Sequence, residues 1–391
     1  MITALITALL PTISVSVTNP VDSQRANVPV VVAVPAEASR SLKGVTVKDH
    51  PEIPCQIDDM DGDGRPDEIV FLVDLAPRQS SVYTLQLSDT PVASTVEPGT
   101  SAYIKLNDKN KKYPRILSVT FPGDADNRTM YNSVYGHGAV LEGLYNAIRV
   151  YMDNRQSIDL YAKNTPRLEL ETTGFYTTAD QLEKGFGRDI LWAGTSVALG
   201  SFRGWNGSEP LTIDSVASRS QRVVTTGPLR SVIEVSDRAW RHGGKDIDMT
   251  QTYTIYKGHR DIDVEIKFDG AEKGEVFATG VQKVMNDNTG FILPEGLAGS
   301  WGNNVPDKSM ASVVDTLGLG ISVSSPYLVK TLEDDVNYLT LVTPDENGVI
   351  RYTIVSAATR DEASPKSYDE WKAWLGKWRK ELENPVKVTV K

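Results

Sequence analysis

The chain has 391 residues, 41 of them Lys or Arg and 51 Asp or Glu, for a formal net charge of −10. That sign excludes a nucleic-acid partner gripped through its phosphates, and it leaves room for an anionic ligand only where cations gather locally. A single cysteine, Cys55, rules out an internal disulfide and a cysteine-built metal cluster. The length exceeds what one ordinary hydrophobic core serves, so two domains are expected.

The opening residues, MITALITALLPTISVSVTNP, form an apolar run of signal-peptide length without the basic residues that begin a secretion signal. Residues 1–18 are read as an incomplete leader, which places the protein in a bacterial periplasm or outside the cell; the alternative is a first β-strand. No other segment approaches the uninterrupted apolar length of a membrane span.

From Val28 the sequence breaks into short β-branched and aromatic runs separated by Gly, Pro, Asn and Asp. Runs at Val28–Pro35, Cys55–Asp58, Glu68–Leu75 and Val82–Leu87 predict a small N-terminal β-domain over residues 19–95. The polar stretch from Ser88 to Thr100 is the expected linker to a main domain, 96–391. Within the first domain, Asp59, Asp61, Asp63 and Asp67 take the first, third, fifth and ninth places of a loop with glycine at the sixth, as in an EF-hand calcium loop. Val70 stands where the twelfth-position Glu would be, and strand-like Ile57 and Ile69 flank the loop, so it reads as a hairpin turn with or without a structural Ca2+.

The densest chemistry lies between Tyr135 and Lys163, YGHGAVLEGLYNAIRVYMDNRQSIDLYAK. Strand alternation sends Leu144, Ile148, Val150 and Met152 to one side and Tyr145, Arg149, Tyr151 and Asp153 to the other. After the polar turn Asn154–Ser157, Ile158, Leu160 and Ala162 face the core while Asp159, Tyr161 and Lys163 face outward. Paired as a hairpin, the two strands merge Tyr145, Arg149, Tyr151, Asp159, Tyr161 and Lys163 into one patch. Tyrosines alternating with cations suit a surface that stacks on sugar and fixes a carboxylate or sulfate. The competing reading is a ring-rich face covered by a loop, with Arg149 and Asp159 as a structural ion pair. Just upstream, His137 sits between Gly136 and Gly138, where unusual backbone angles and close ligand approach are permitted, and histidine is the side chain best matched to acid–base work near neutral pH.

Farther along, the glycine- and aromatic-rich stretches holding Asp189 and Trp205 read as loops around a sugar site or as plain connections, and His242 is a second, weaker histidine candidate. In Asp261–Phe268, Ile262, Val264, Ile266 and Phe268 alternate with charged residues, the mark of a half-buried strand. Many such strands predict an all-β chain built on a large antiparallel sandwich. The one clear helix comes last, over 367–383: Ser367 and Glu370 form a capping box, and Trp371, Trp374, Leu375, Trp378 and Leu382 share one stripe before Pro385.

Tyr135-Gly-His-Gly, Glu142, Arg149-Val-Tyr-Met, Ile158-Asp-Leu-Tyr-Ala-Lys163, Phe186-Gly-Arg-Asp189, Trp205-Asn-Gly, Gly280-Val-Gln, Ser300-Trp-Gly and the terminal Asp369-Glu-Trp helix resemble a domain-of-unknown-function family from bacterial polysaccharide-utilisation gene clusters. That family includes an ulvan oligosaccharide dehydratase. The resemblance spans nearly the whole chain and implies a supersandwich-like fold and eliminative chemistry on acidic oligosaccharides in the periplasm. Where the family pattern His-His-Gly-Pro is expected, this chain has Gly136-His137-Gly138-Ala139.

Elimination beside a sugar carboxylate needs a base for the carbon-bound proton, a cation for the enolate-like charge and an acid for the leaving oxygen. The expected catalytic set is His137 as base or acid, Tyr135 or Tyr161 as its partner, and Arg149 and Lys163 holding the substrate anion. Glu142, Tyr145, Tyr151, Asp159, Asp189, Trp205 and His242 are the expected substrate contacts, and no cofactor is required for catalysis. The alternatives are a non-catalytic glycan-binding sandwich on the same face, a glycoside hydrolase using paired carboxylates such as Glu142, Asp159 and Asp189, and an epimerase-like enzyme.

Overall fold

The computed structural model describes residues 11–93, 96–107, 115–285 and 288–391. It is an all-β architecture of antiparallel sheets with a C-terminal helix. The chain divides into two compact units, one comprising residues 1–98, 227–230 and 384–391, the other 99–226 and 231–383.

In the first unit, the strands run in the order Lys387–Val390, Thr12–Thr18, Ser80–Ser88, Gly44–Val47 in one sheet and Arg25–Ala33, Glu68–Leu75, Cys55–Asp58 in another. Ile13, Val15 and Val17 alternate into its core with Val30, Phe71 and Leu85, so Thr12–Thr18 is a strand of this unit and not the end of a leader. The leader expected over residues 1–18 otherwise falls on residues 1–10, outside the described residues. Arg230 joins this unit through a buried pair with Asp58, at 2.8 Å from Nε.

The second unit carries the chemistry. A six-stranded sheet runs in the order Arg188–Asp189, Ile158–Ala162, Asn146–Tyr151, Gly138–Gly143, Thr100–Lys105, Arg115–Ile116. A nine-stranded sheet contains Arg230–His242, Lys245–Tyr256, Asp261–Asp269, Val349–Ala358 and Asp315–Val323 as inner strands. Ile148, Val150, Ile158 and Leu160 of the smaller sheet share one core with Tyr253, Ile262, Val264, Ile321 and Ile354 of the larger. The strand period of two thus buries one face of each sheet against the other. A five-stranded sheet containing Phe277–Gln282 and Asn337–Val342 adds Phe277, Val281 and Val342 to the same core.

The helix Tyr368–Glu383 lies on the larger sheet, with Trp371, Leu375 and Trp378 buried. Gly318 makes this seat, since a Cβ there would come within 2.7 Å of the Trp371 ring. Both buried indoles find acceptors: Trp371 Nε1 donates to the Leu319 carbonyl (3.3 Å) and Trp378 Nε1 to Asp261 Oδ2 (2.9 Å). At the start of the helix, Ser367 Oγ accepts the Glu370 N–H, as the capping pattern predicts.

Candidate active site: an aromatic cup around His137

The hairpin Asn146–Tyr151/Ile158–Ala162 pairs Arg149 with Asp159. On the face away from the main core lie Arg149, Tyr151, Asp159, Tyr161 and Lys163, as alternation requires. Most of that face is covered. A short helix, Leu170–Thr173, and the residues after it lay Leu170 and Phe175 over Tyr103, Val140, Ala147 and Tyr161. His137, half-buried, packs against Tyr151 at one end of the face.

Gly136 and His137 both adopt φ of +70°, a region that non-glycine residues seldom enter and that concentrates at functional sites. The His137 carbonyl accepts the Met152 N–H at 2.8 Å, which fixes this conformation. Gly138 then passes so close to the next strand that a Cβ would lie 1.7 Å from the Val150 carbonyl oxygen. The two glycines of the motif therefore serve different ends: one a left-handed turn, the other a close strand approach.

The His137 ring stacks on Tyr131 with centroids 3.7 Å apart, and the rings of Tyr151 and Tyr176 meet it edge-on, each at 6.3 Å. Tyr135 meets Tyr176 edge-on at 6.0 Å. Nδ1 of His137 lies 2.9 Å from the Tyr131 carbonyl oxygen. Since a carbonyl can only accept, Nδ1 carries the proton, and the neutral ring presents its lone pair at Nε2. Among the described residues Nε2 has no hydrogen-bond partner. Burial lowers the His137 pKa below its ordinary value, the Tyr131 carbonyl opposes that, and the Arg149 charge adds to it.

Beneath the cup, Arg149 is 4 % exposed. Its Nε donates to Asp159 Oδ2 (2.8 Å), and its Nη2 donates to Asp159 Oδ2 (2.5 Å) and Asp189 Oδ2 (3.0 Å). Nη1 donates to the Tyr176 hydroxyl at 3.3 Å. The guanidinium is walled by the rings of Phe175 (4.4 Å), Tyr151 (5.4 Å) and Tyr176 (5.4 Å). The Tyr151 hydroxyl donates to Asp159 at 2.8 Å, and burial followed by the Asp159 charge pushes its pKa well above the ordinary value. Two carboxylates share one guanidinium here, and burial, then Asp159, raises the Asp189 carboxyl well above the usual range. Tyr176 is the open member: the residue is 49 % exposed and its own hydroxyl proton has no acceptor among the described residues.

The sequence match to the family described as a domain of unknown function, DUF4861, runs over residues 17–388. The chain belongs to that family. No curated protein matches it in sequence. Among solved structures it is similar to a glycosyl hydrolase family 38 protein from Enterococcus faecalis, at 11 % identity and a TM-score of 0.48, covering 97 % of this chain and 47 % of that one. It is also similar to an alpha-mannosidase from Enterococcus faecalis V583, at 10 % identity and a TM-score of 0.44, covering 98 % and 46 %. The chain thus spans about half the length of these structures.

Several residues expected at the site sit elsewhere. Lys163 is 1 % exposed, and its three N–H groups go to Glu142 Oε1 (2.6 Å), the Gly143 carbonyl (2.6 Å) and the Arg167 carbonyl (2.5 Å). Glu142 Oε1 also accepts the N–H groups of Glu169 and Leu170, so this pair pins the covering segment and offers nothing to a ligand. Tyr161 is wholly buried, its hydroxyl among Glu169, Thr173 and Thr177, and cannot partner His137. Asp159 is buried against Arg149, which makes both a structural pair rather than direct contacts for a substrate anion. Tyr145 precedes the strand and lies under Arg260, 4.2 Å from its ring centre. His242 stacks between Trp240 (4.7 Å) and Phe277 (5.0 Å), with its pKa lowered by burial. Trp205 lies in the strand Arg203–Trp205 of the five-stranded sheet, and among the described residues no ring contact ties it to the cup. Conversely, Tyr131, Phe175, Tyr176 and Arg155 belong to the cup and were not expected, because a helix, a loop and a turn supply them and no period links them.

In the first unit, carboxylate oxygens of Asp59, Asp61 and Asp67 lie within 4.8 Å of one another. Asp59 accepts the N–H groups of Gly62 and Gly64, while Asp63 accepts that of Arg65 and lies outside this cluster. Among the described residues no helix is long and apolar enough to cross a membrane.

Proposed function

We propose that the protein is a carbon–oxygen lyase, acting as a dehydratase or lyase on acidic oligosaccharides outside the cytoplasm during polysaccharide breakdown. The observation that carries this is the locked tautomer of His137, a neutral imidazole aiming an unpartnered Nε2 from the wall of an aromatic cup. Such a nitrogen is suited to remove a carbon-bound proton. In the elimination, the C–H bond next to the sugar carboxylate breaks, its electron pair becomes the new C=C bond, and the adjacent C–O bond breaks. Tyr176 gives its hydroxyl proton to the departing oxygen, and the phenolate left behind is stabilised by the Arg149 N–H already directed at it. Tyr131 and Tyr135, both only partly buried, supply ring surface for the sugar. The implied family resemblance points to the same chemistry. A hydrolase with paired carboxylates is not favoured, because Asp159 and Asp189 both face Arg149 and Glu142 faces Lys163.

The test is to incubate the protein with acidic oligosaccharides, intact and lyase-cut, following conjugated double-bond absorbance together with product masses. Loss of one water, or new unsaturated ends, is expected. Unchanged masses with saturable binding would replace this reading by a glycan-binding one, and gain of water on cleavage would replace it by hydrolysis.

A further inference from the structure

Elimination next to a carboxylate needs a cation that touches that carboxylate, and neither basic residue expected for the task is free to do so. Lys163 has all three donors occupied, and Arg149 is buried with four of its N–H groups engaged.

Arg155 is differently placed. It lies on the turn between Asn146–Tyr151 and Ile158–Ala162, with its guanidinium carbon 5.5 Å from the Tyr131 ring centre and 5.4 Å from that of Tyr151. These are two of the rings that pack on His137. One edge of the guanidinium is fixed: Nε and Nη2 donate to Asp153 Oδ2 at 2.9 and 2.5 Å, and the Arg155 backbone N–H donates to Asp153 Oδ1. The other edge is open. Nη1 has no hydrogen-bond partner among the described residues, and the side chain is 34 % exposed while that of Asp153 is 4 % exposed.

The turn itself is anchored from below. Arg203, buried and with its pKa brought down by burial to about 10, donates to the Arg155 carbonyl and to Ser157 Oγ. Gln156 Nε2 donates to Asp237 (2.6 Å), which is in turn held by Arg219 Nε (2.7 Å). Residues 155, 156 and 157 are thus each tied to buried polar groups, which is how a fold keeps an exposed cation in one orientation.

We propose that Arg155 binds the substrate carboxylate through its free guanidinium edge and so sets the selectivity for uronate-bearing sugars. This rests on the elimination reading above. With the carboxylate on Arg155 and the adjacent C–H toward Nε2 of His137, the charge released by proton abstraction flows onto the oxygens that Arg155 holds. The contact therefore strengthens in the transition state and acts on kcat as well as KM.

The experiment compares wild type, Arg155→Gln and Arg155→Lys on glucuronate-ended disaccharides and on their methyl esters, with calorimetric binding of the acids alongside. The expected result is that Arg155→Gln loses about 10- to 100-fold in kcat/KM on the acid and little on the ester, so the acid preference collapses. Arg155→Lys, a point charge without the planar fork, recovers only part. An acid-to-ester ratio unchanged in both variants overturns this assignment while leaving elimination standing. If the wild type binds the acids without converting them, elimination fails, and the binding affinity of Arg155→Gln decides the anion contact by itself. A wild type that neither converts nor binds the acids overturns both.

Discussion

Replacing Lys163 by methionine separates a ligand-binding lysine from a structural one. Methionine fills most of the volume, but it strips Glu142 of its cation and removes the donor from two carbonyls, the buried one of Gly143 and the partly buried one of Arg167. Breaking one side of a buried ion pair costs about 3–5 kcal/mol, because the remaining charge is left without compensation. Glu142 keeps only the N–H groups of Glu169 and Leu170. For a unit of this size such a loss corresponds to a melting temperature lower by about 5–8 °C. The double change Glu142→Gln with Lys163→Met removes the stranded charge and is expected to be more stable than Lys163→Met alone, which a denaturation cycle over the four proteins measures as a coupling energy. Well below its melting point, Lys163→Met should turn over acidic oligosaccharides within about twofold of wild type. Unchanged stability together with a large fall in kcat/KM would refute the reasoning and return Lys163 to the substrate.

His137→Gln should lower kcat by about 10²- to 10⁴-fold with little change in thermal midpoint, and retention of full activity would remove the base from the mechanism. The base works only when neutral, and burial lowers its pKa below the ordinary 6.5; kcat/KM should therefore fall as pH drops through a value under 6.5, a limb that His137→Gln abolishes. Trp371→Ala should destabilise the protein by about 3–5 kcal/mol, measured by urea denaturation, because the indole is fully buried on the sheet and hydrogen-bonded to Leu319. Calcium is expected to raise the melting temperature by relieving repulsion among Asp59, Asp61 and Asp67, with the shift lost in Asp61→Asn.

The β-architecture was legible because a strand facing one core writes a period of two into its side chains. Ile148, Val150, Ile158 and Leu160 fall in the main core, and Arg149 meets Asp159 across the hairpin, as that period requires. The terminal helix was legible for the same kind of reason, its tryptophans and leucines repeating at helical spacing. Periodicity, however, says which way a side chain points and nothing about what lies over it. The segment that covers Tyr161 and Lys163 contributes Leu170 and Phe175 from a stretch without a repeat, so a closed face read as an open patch. Arg155 was passed over as part of a polar turn, because its exposure depends on which side of its guanidinium Asp153 occupies. For the Thr12–Thr18 strand, composition resembled a leader, and only pairing with Ser80–Ser88 distinguishes the two.

Under the proposed elimination, the buried Arg149 bears on both of the groups assigned to acid–base work. Arg149 places a positive charge below His137 and so disfavours a second one on the imidazole, reinforcing what burial does. The same guanidinium donates to the Tyr176 hydroxyl oxygen at 3.3 Å. In the proposed elimination one cation thus faces both the base and the acid. Asp159 and Asp189 both pair with that cation, at 2.5 and 3.0 Å. Asp159 and Asp189 both engage Arg149, which leaves the partly exposed Arg155 as the cation proposed to meet a substrate anion.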